Sequence, residues 1–301
     1  MTTAAHRWLA PAAAVLAVDL AVVVLLGPLV TGVIDYRVTS LLRNQLIGSD
    51  IVTLGVIAPL ALAAAVLLRR RSPTGPLLAL PTALAAWYFA AELVLGPDRT
   101  GLPGNDEAFL PLFLGVLLLS GAIALGAWQS VAAASTQLRR SPGRWVGGLL
   151  LAVVTLFVVG RYLPAWLQIV RGTASSDYTA GPGMWWTIAF QDLALLLPAA
   201  AATGVGLLRQ APWADKAAFA VSGCLALIGA AVTAMAWSMT VHDDAGATTG
   251  TAMTMTAIGL GTAAPAVVCW TAHLRAQRQA AVGAAGDVQV ERRAARHGQP
   301  A

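Results

Sequence analysis

Eight long apolar runs follow one another along the chain, separated by short connections that alternate between arginine-rich and acidic. A helix needs roughly 20 apolar residues to cross the hydrocarbon core of a bilayer. Only helices and closed barrels satisfy the backbone hydrogen bonds in lipid, and the runs lack the alternation of a barrel strand. The sequence therefore predicts an all-α, polytopic membrane helix bundle. The predicted spans are Trp8–Val30, Ile51–Leu68, Pro76–Leu95, Leu110–Trp128, Trp145–Pro164, Met184–Leu208, Trp213–Met239 and Gly250–Trp270.

Basic residues are concentrated on alternate connections and on both termini. Fourteen are found there, and the opposite connections carry only Arg37, Arg43, Arg99 and Arg171. Because Lys and Arg accumulate on the cytoplasmic side, the sequence predicts a multi-pass protein of the cell (inner) membrane with both termini cytoplasmic. We call the side with these fourteen residues the arginine end. The acidic end carries Asp35, Asp98, Asp106, Glu107, Asp177, Asp243 and Asp244.

Two regions follow from this pattern, a transmembrane bundle over residues 1–275 and a tail over residues 276–301. The tail mixes Ala, Gln, Gly and Arg without apolar periodicity. That composition is typical of a disordered basic cytoplasmic segment close to an anionic leaflet.

A weak internal repeat links the second and sixth spans. A shift of 139 residues aligns Pro59–Pro73 with Pro198–Pro212 without a gap. A four-plus-four duplication would give parallel halves over residues 1–140 and 141–275, because four spans return the chain to its starting side. Chance matching of Ala on Ala is the alternative.

Two stretches of sequence also resemble a known group of proteins. Arg43–Pro59 (RNQLIGSDIVTLGVIAP) and Phe190–Pro198 (FQDLALLLP) are similar to segments of uncharacterised polytopic bacterial inner-membrane proteins. The resemblance covers two helix entrances. It implies an integral membrane fold and brings no activity and no functional residues.

Five ionisable residues at membrane depth are the candidate intramembrane polar site. Asp19 is near the middle of the first span, Glu92 in the outer part of the third, Arg161 late in the fifth, Asp192 in the outer third of the sixth, and Asp50 at the outer mouth of the second. Such residues cost about 2.5–3.5 kcal/mol on insertion scales and are functional candidates by default. We expect Arg161 to bridge Asp192 or Glu92. The alternative is that Arg161 and Glu92 extend to the headgroups.

Prolines and small residues predict how the spans are shaped and packed. Pro59, Pro81, Pro198 and Pro265 are expected to interrupt spans two, three, six and eight, freeing carbonyl groups as in the broken helices of transporters. Ordinary kinks are the alternative. Small residues repeat at helical spacing in the last two spans, which predicts close packing. They are Ser222, Ala226, Gly229, Thr233 and Ala236 in one span, and Ala252, Thr256, Gly259 and Ala263 in the other.

No motif for catalysis, a cofactor or a nucleotide is present in the sequence, and no basic–aromatic surface suits nucleic acid. Cys224 and Cys269 have no metal-ligand spacing and are expected to be buried and unpaired. The runs at Asn105–Glu107 and His242–Asp244 offer oxygen and nitrogen ligands for a divalent cation. Adjacent residues rarely point to one centre, so the favoured interpretation is solvated acidic loops. We assign no catalytic residue, metal or cofactor.

Three hypotheses for the function remain. The leading one is a permease or transporter for a small solute or a proton-coupled cargo. Asp19 and Asp192 would carry the proton or cation, and Arg161 would be the counter-ion, between spans one, three, five and six. The second is a non-catalytic subunit or scaffold that contacts a membrane-protein partner or a second copy of the chain. The third, an enzyme on lipid or cell-wall precursors using outer carboxylates, is less favoured.

The orientation gives the first testable prediction. Reporter fusions after Arg71, Arg140 and Lys216 are expected to report the cytoplasm, and fusions after Asp98, Asp177 and Asp244 the exterior, because of the bias in basic residues. A cytoplasmic signal from the fusion after Asp177 would contradict eight spans.

Overall fold

The computed structural model describes residues 3–99, 101–132, 136, 138 and 140–296. Within these residues it contains eight helices that are long and apolar enough to cross a membrane. The described part of the chain is thus all-helical, with eight helices that have the length and composition of membrane spans. The helices are α1 (Thr3–Leu26), α2 (Ser40–Arg69), α3 (Thr74–Leu95), α4 (Asp106–Ser130), α5 (Arg140–Val170), α6 (Pro182–Leu208), α7 (Ala214–Val241) and α8 (Thr249–Arg296).

Two helix boundaries differ from the sequence prediction in ways that affect the site. Helix α2 begins at Ser40, where Thr39 is extended (φ −65°, ψ 163°), and not at Ile51. Asp50 was placed at the mouth of a span but lies ten residues inside the helix. Helix α5 continues beyond Pro164 to Val170, so Arg161 does not lie at a helix end. Counting apolar residues misses such extensions because polar helical turns are stabilised by packing.

The last helix is longer than the predicted span. Helix α8 continues to Arg296 and so includes much of the segment that was predicted as a tail. Ala, Gln and Arg have high intrinsic helix propensity, and this explains why the segment extends α8 without an apolar stripe. Residues 297–301 lie outside the described part of the chain.

Three spans contain a π-helical segment: Thr53–Ile57 in α2, Leu156–Tyr162 in α5 and Gln191–Leu196 in α6. In each case the next α-helical segment has a proline in its first turn, namely Pro59, Pro164 or Pro198. Proline has no N–H group to donate a hydrogen bond to the carbonyl one turn earlier. The wider π-helical turn accommodates the loss of this hydrogen bond. Helices α3 and α8 instead run without a break through Pro81 and Pro265, so the predicted interruptions there are wrong.

The helices form two rings of four that pack against each other. In the first ring α1 packs on α2, α2 on α3, α3 on α4, and α4 on α1; in the second α5 to α8 pack in the same order. Helix α7 joins the rings by packing on α2 and α3, and the first turns of α6 also contact α3. A Cβ atom on Gly48 of α2 would lie 2.5 Å from the backbone of Met235 of α7. The two rings therefore meet by direct backbone contact.

The small-residue stripes of α7 and α8 pack against each other, as predicted. A Cβ atom on Gly259 would lie 2.8 Å from the Gly229 carbonyl oxygen. The Thr233 hydroxyl donates to the Met255 carbonyl at 3.2 Å, so polar groups also hold the pair together. Both cysteines are buried and unpaired. The stripes thus serve the interior of the bundle.

Candidate functional site

Asp192 is the centre of a polar cluster inside the bundle. Its side chain is only 3% exposed and starts from the π-helical segment of α6. One carboxylate oxygen accepts a hydrogen bond of 2.9 Å from the Tyr88 hydroxyl of α3, and the other accepts one from the Tyr162 hydroxyl of α5. Three helices therefore converge on one carboxylate, and both its oxygens are satisfied by neutral donors.

Glu92 and Gln191 extend this cluster. Glu92 lies one turn beyond Tyr88 on α3, so both side chains leave the same face of the helix, and Glu92 is 6% exposed. The Gln191 amide donates to the Tyr88 carbonyl at 2.9 Å, and its own side-chain oxygen is buried without a hydrogen-bond partner. Two carboxyl groups and an amide oxygen without a partner thus share this region. A group that donates hydrogen bonds would be stabilised there.

The expected ion pair of Arg161 is not formed. No Glu92 or Asp192 oxygen lies within 4 Å of its guanidinium, and the ion pairs among the described residues lie in other positions. The side chain is exposed on the outer surface of α5. It lies over the rings of Phe157 and Tyr162, 5.9 and 5.2 Å from their centroids. Because adjacent residues in the π-helical segment point in different directions, Tyr162 and not Arg161 reaches Asp192.

Asp50 faces a separate cavity between α1, α2, α3 and α4. This cavity has a volume of about 40 Å³ and is mostly apolar. Its polar lining comes from Ser49, Asp50 and Thr53 of α2 and from Glu92 of α3. Glu92 therefore lies between the two polar regions: it shares a helix face with Tyr88 and it lines the cavity that contains Asp50.

Asp19 does not join either region. It is partly exposed on α1 and does not line the cavity, and no hydrogen bond or ion pair to it is found among the residues described. The structure thus brings Glu92 and Asp192 together, connects Asp50 to Glu92 through a cavity, and leaves Asp19 apart. Arg161 forms no ion pair with Glu92 or Asp192, but it lies close enough for its charge to act on both carboxyl groups.

The acidic end above the cavity is closed by an ion-pair cluster that the sequence analysis missed. Asp106 is completely buried between Arg37 and Arg99, whose Nε atoms lie 3.7 Å from its two oxygens. Arg99 also donates to the carbonyls of Leu93 and Val94 at the end of α3, an arrangement that stabilises a helix C-terminus. The interpretation of Asn105–Glu107 as a solvated loop is therefore wrong for Asp106, because its carboxylate is completely buried between two arginines.

The connection between α1 and α2 packs into this closed end. Tyr36 is 2% exposed and stacks on Phe113, with ring centroids 5.9 Å apart. Burial, together with the nearby Asp50 and Asp106 carboxylates, raises the pKa of the Tyr36 hydroxyl. The Asn105 N–H donates to the Asp35 carbonyl, and the Asp35 N–H donates to the Asn105 side-chain oxygen, each at 2.8 Å. These two hydrogen bonds hold the α1–α2 connection against the connection that precedes α4.

The acidic runs do not converge on a metal. Asp244 accepts from the Asn44 amide at 2.9 Å, and His242 contacts the Ser238 carbonyl of its own helix. The described part of the chain contains no group of three or more His, Cys, Asp or Glu residues arranged to hold a metal ion.

Comparison with known protein families, with curated proteins and with solved structures finds no match to this chain. The function must therefore be argued from the geometry of the two polar regions.

Proposed function

We propose that the protein is a permease for a small solute, coupled to protons through Asp192. The observation that carries the proposal is the Asp192 carboxyl, buried at membrane depth and held by two tyrosine hydroxyls from different helices. Ionisable groups in this position mark proton relays and substrate pathways in membrane proteins. Transporters commonly build such sites from interrupted helices, and α2, α5 and α6 are interrupted here.

In this mechanism the tyrosines position the carboxyl and Glu92 receives the proton next. A charged Asp192 accepts hydrogen bonds from Tyr88 and Tyr162. When Asp192 is protonated it needs an acceptor, and its hold on the tyrosines weakens. Because the helices meet at this carboxyl, a change in its charge alters the contact between the two rings. Asp19 and Arg161 take no part in the step.

The two rings are proposed to be a parallel duplication, which is a common plan among transporters. Support comes from the ends of α2 and α6. Arg71 (φ 55°) and Gln210 (φ 59°) lie 139 positions apart, and both have the left-handed conformation that ends a helix. The backbone bonds Ser72 N to Leu67 O and Ala211 N to Gly206 O, each 2.9 Å, repeat at the same interval.

Two observations weigh against the alternatives. The small-residue stripes, the contact surfaces expected of a scaffold, are used between α7 and α8. The outer carboxylate that is completely buried, Asp106, is neutralised by two arginines, which leaves it poorly suited to acid–base chemistry in an outer-face enzyme.

Proton movement in vesicles tests the proposal. We would reconstitute the purified chain with an internal pH-sensitive dye and add a panel of amino acids, monosaccharides and organic cations. We expect at least one solute to acidify the interior faster than in empty vesicles. Asp192→Asn should reduce the rate to that of empty vesicles, whereas Asp19→Asn, the matched control on α1, should keep it. Equal rates for the wild type and Asp192→Asn would contradict the proposal.

A further inference from the structure

The carboxylate of Asp50 has no counter-ion and no hydrogen-bond donor at its inner oxygen. Asp50 is 9% exposed, and its Oδ2 atom is buried without a hydrogen-bond partner. Arg37 and Arg99 are paired with Asp106, and Arg43, on the same helix as Asp50, is paired with Asp35. A charged carboxylate at membrane depth is costly unless it is paired, and a protonated one needs an acceptor. Within the described part of the chain, no hydrogen bond to Asp50 Oδ2 is found.

Asp50 also lies beside the C-terminal end of α1. Its Oδ2 atom is 3.2 Å from the position that a Cβ atom would take on Gly27, whose N–H donates to the Val23 and Val24 carbonyls at 2.9 and 3.2 Å. Both carbonyls belong to the last turns of α1, so the negative end of the helix dipole points at Asp50. A carboxylate beside a helix C-terminus is destabilised unless a cation lies between them.

The cavity beside Asp50 has the size and the ligands for such a cation. Its volume of about 40 Å³ exceeds the roughly 10–15 Å³ that one water needs. The hydroxyl-bearing residues Ser49 and Thr53 line it together with Asp50, and Glu92 lies on another wall. Oxygen ligands of this kind suit hard cations.

We propose that this cavity binds one sodium ion, held by the Asp50 carboxylate with oxygens from Ser49, Thr53 and the C-terminal turns of α1. Of the two carboxyl groups that line the cavity, those of Asp50 and Glu92, we assign only Asp50 as a ligand, and a monovalent ion matches that one charge. Divalent ions such as Ca²⁺ take 6–8 oxygens and usually several carboxylates. A ligand set of high field strength favours the smaller sodium over potassium. The site lies beside the π-helical segment of α2, in line with sodium sites at interrupted helices.

Direct binding of radioactive sodium to the full-length chain in nanodiscs tests the proposal. At pH 8 and constant ionic strength, with choline as the replacement ion, we expect one sodium per chain. Competition by unlabelled sodium should exceed that by potassium. Asp50→Asn should weaken binding at least about 10-fold, because loss of even an indirect metal partner costs 10–100-fold. Asp19→Asn, a neutralised aspartate outside the cavity, should bind as the wild type does.

Two milder variants keep the test decisive if Asp50→Asn does not fold. Thr53→Val removes a hydroxyl without changing the size of the side chain. Gly27→Ala places a methyl group 3.2 Å from Asp50 Oδ2 and leaves every ligand in the chain. Both should weaken sodium binding while the protein stays folded. Absence of sodium-specific binding by the wild type, or unchanged binding in folded variants, would overturn the proposal. Neither result bears on proton movement through Asp192.

Discussion

Replacing both Arg37 and Arg99 with alanine is expected to lower the free energy of unfolding by about 3–5 kcal/mol. Removing the partners of a buried charge leaves that charge uncompensated, and this is the usual size of the effect. Asp106 is completely buried, and its ion pairs in this cluster are with these two arginines. Denaturant titration of the purified protein in micelles, followed by tryptophan fluorescence, measures the change.

The control and the rescue use the same end of the bundle. Arg171→Ala removes an exposed arginine and should change stability by less than about 0.5 kcal/mol. Adding Asp106→Asn to the double variant removes the unpaired charge and should recover part of the loss. If the double variant is as stable as the wild type, Asp106 is not held by these arginines.

Gly48→Ala is expected to destabilise the protein strongly, although it adds only one methyl group. Its Cβ atom would lie 2.5 Å from the Met235 N and Cα atoms and 2.6 Å from the Ala234 carbonyl carbon. Overpacking costs about 1–3 kcal/mol when side chains can move. Here the obstacle is the backbone of α7, so we expect a loss at the top of that range or above it, with the two rings forced apart.

Gly55→Ala is the matched control for this substitution. Gly55 lies on the same helix, but no atom lies within 4 Å of the position its Cβ would take. The alanine should therefore leave the unfolding midpoint unchanged or raise it slightly, because alanine is the better helix former. Equal effects of the two substitutions would contradict backbone contact between α2 and α7.

The helical class and the number of spans could be predicted from apolar run length, because the bilayer imposes that length on every span. The start of α2 could not, since Arg43, Asn44 and Asp50 resemble a connection when apolar residues are counted. The close approach of α7 at Gly48 stabilises this polar stretch as a helix. Tertiary contacts of this kind have no local signal.

The sequence predicted the ionisable residues of the candidate site but not the residues that hydrogen-bond to them. Glu92 and Asp192 stood out as ionisable residues inside apolar runs. Their neighbours Tyr88 and Tyr162 did not, although the chain has only four tyrosines and two of them lie beside these candidates. The π-helical turn decides that Tyr162 faces Asp192 and Arg161 faces outward. A regular helical period gives no information about this choice.

The direct test of the central claim compares solute exchange with proton-driven accumulation in Asp192→Asn. If Asp192 carries the coupling proton, an asparagine fixes the site in a neutral state, in which the amide oxygen accepts a hydrogen bond from one tyrosine and the NH2 group donates to the oxygen of the other. The variant should then exchange labelled for unlabelled solute across vesicles and fail to accumulate it against a gradient when a pH difference is applied. Accumulation by Asp192→Asn at the rate of the wild type would show that the proton does not move through this carboxyl.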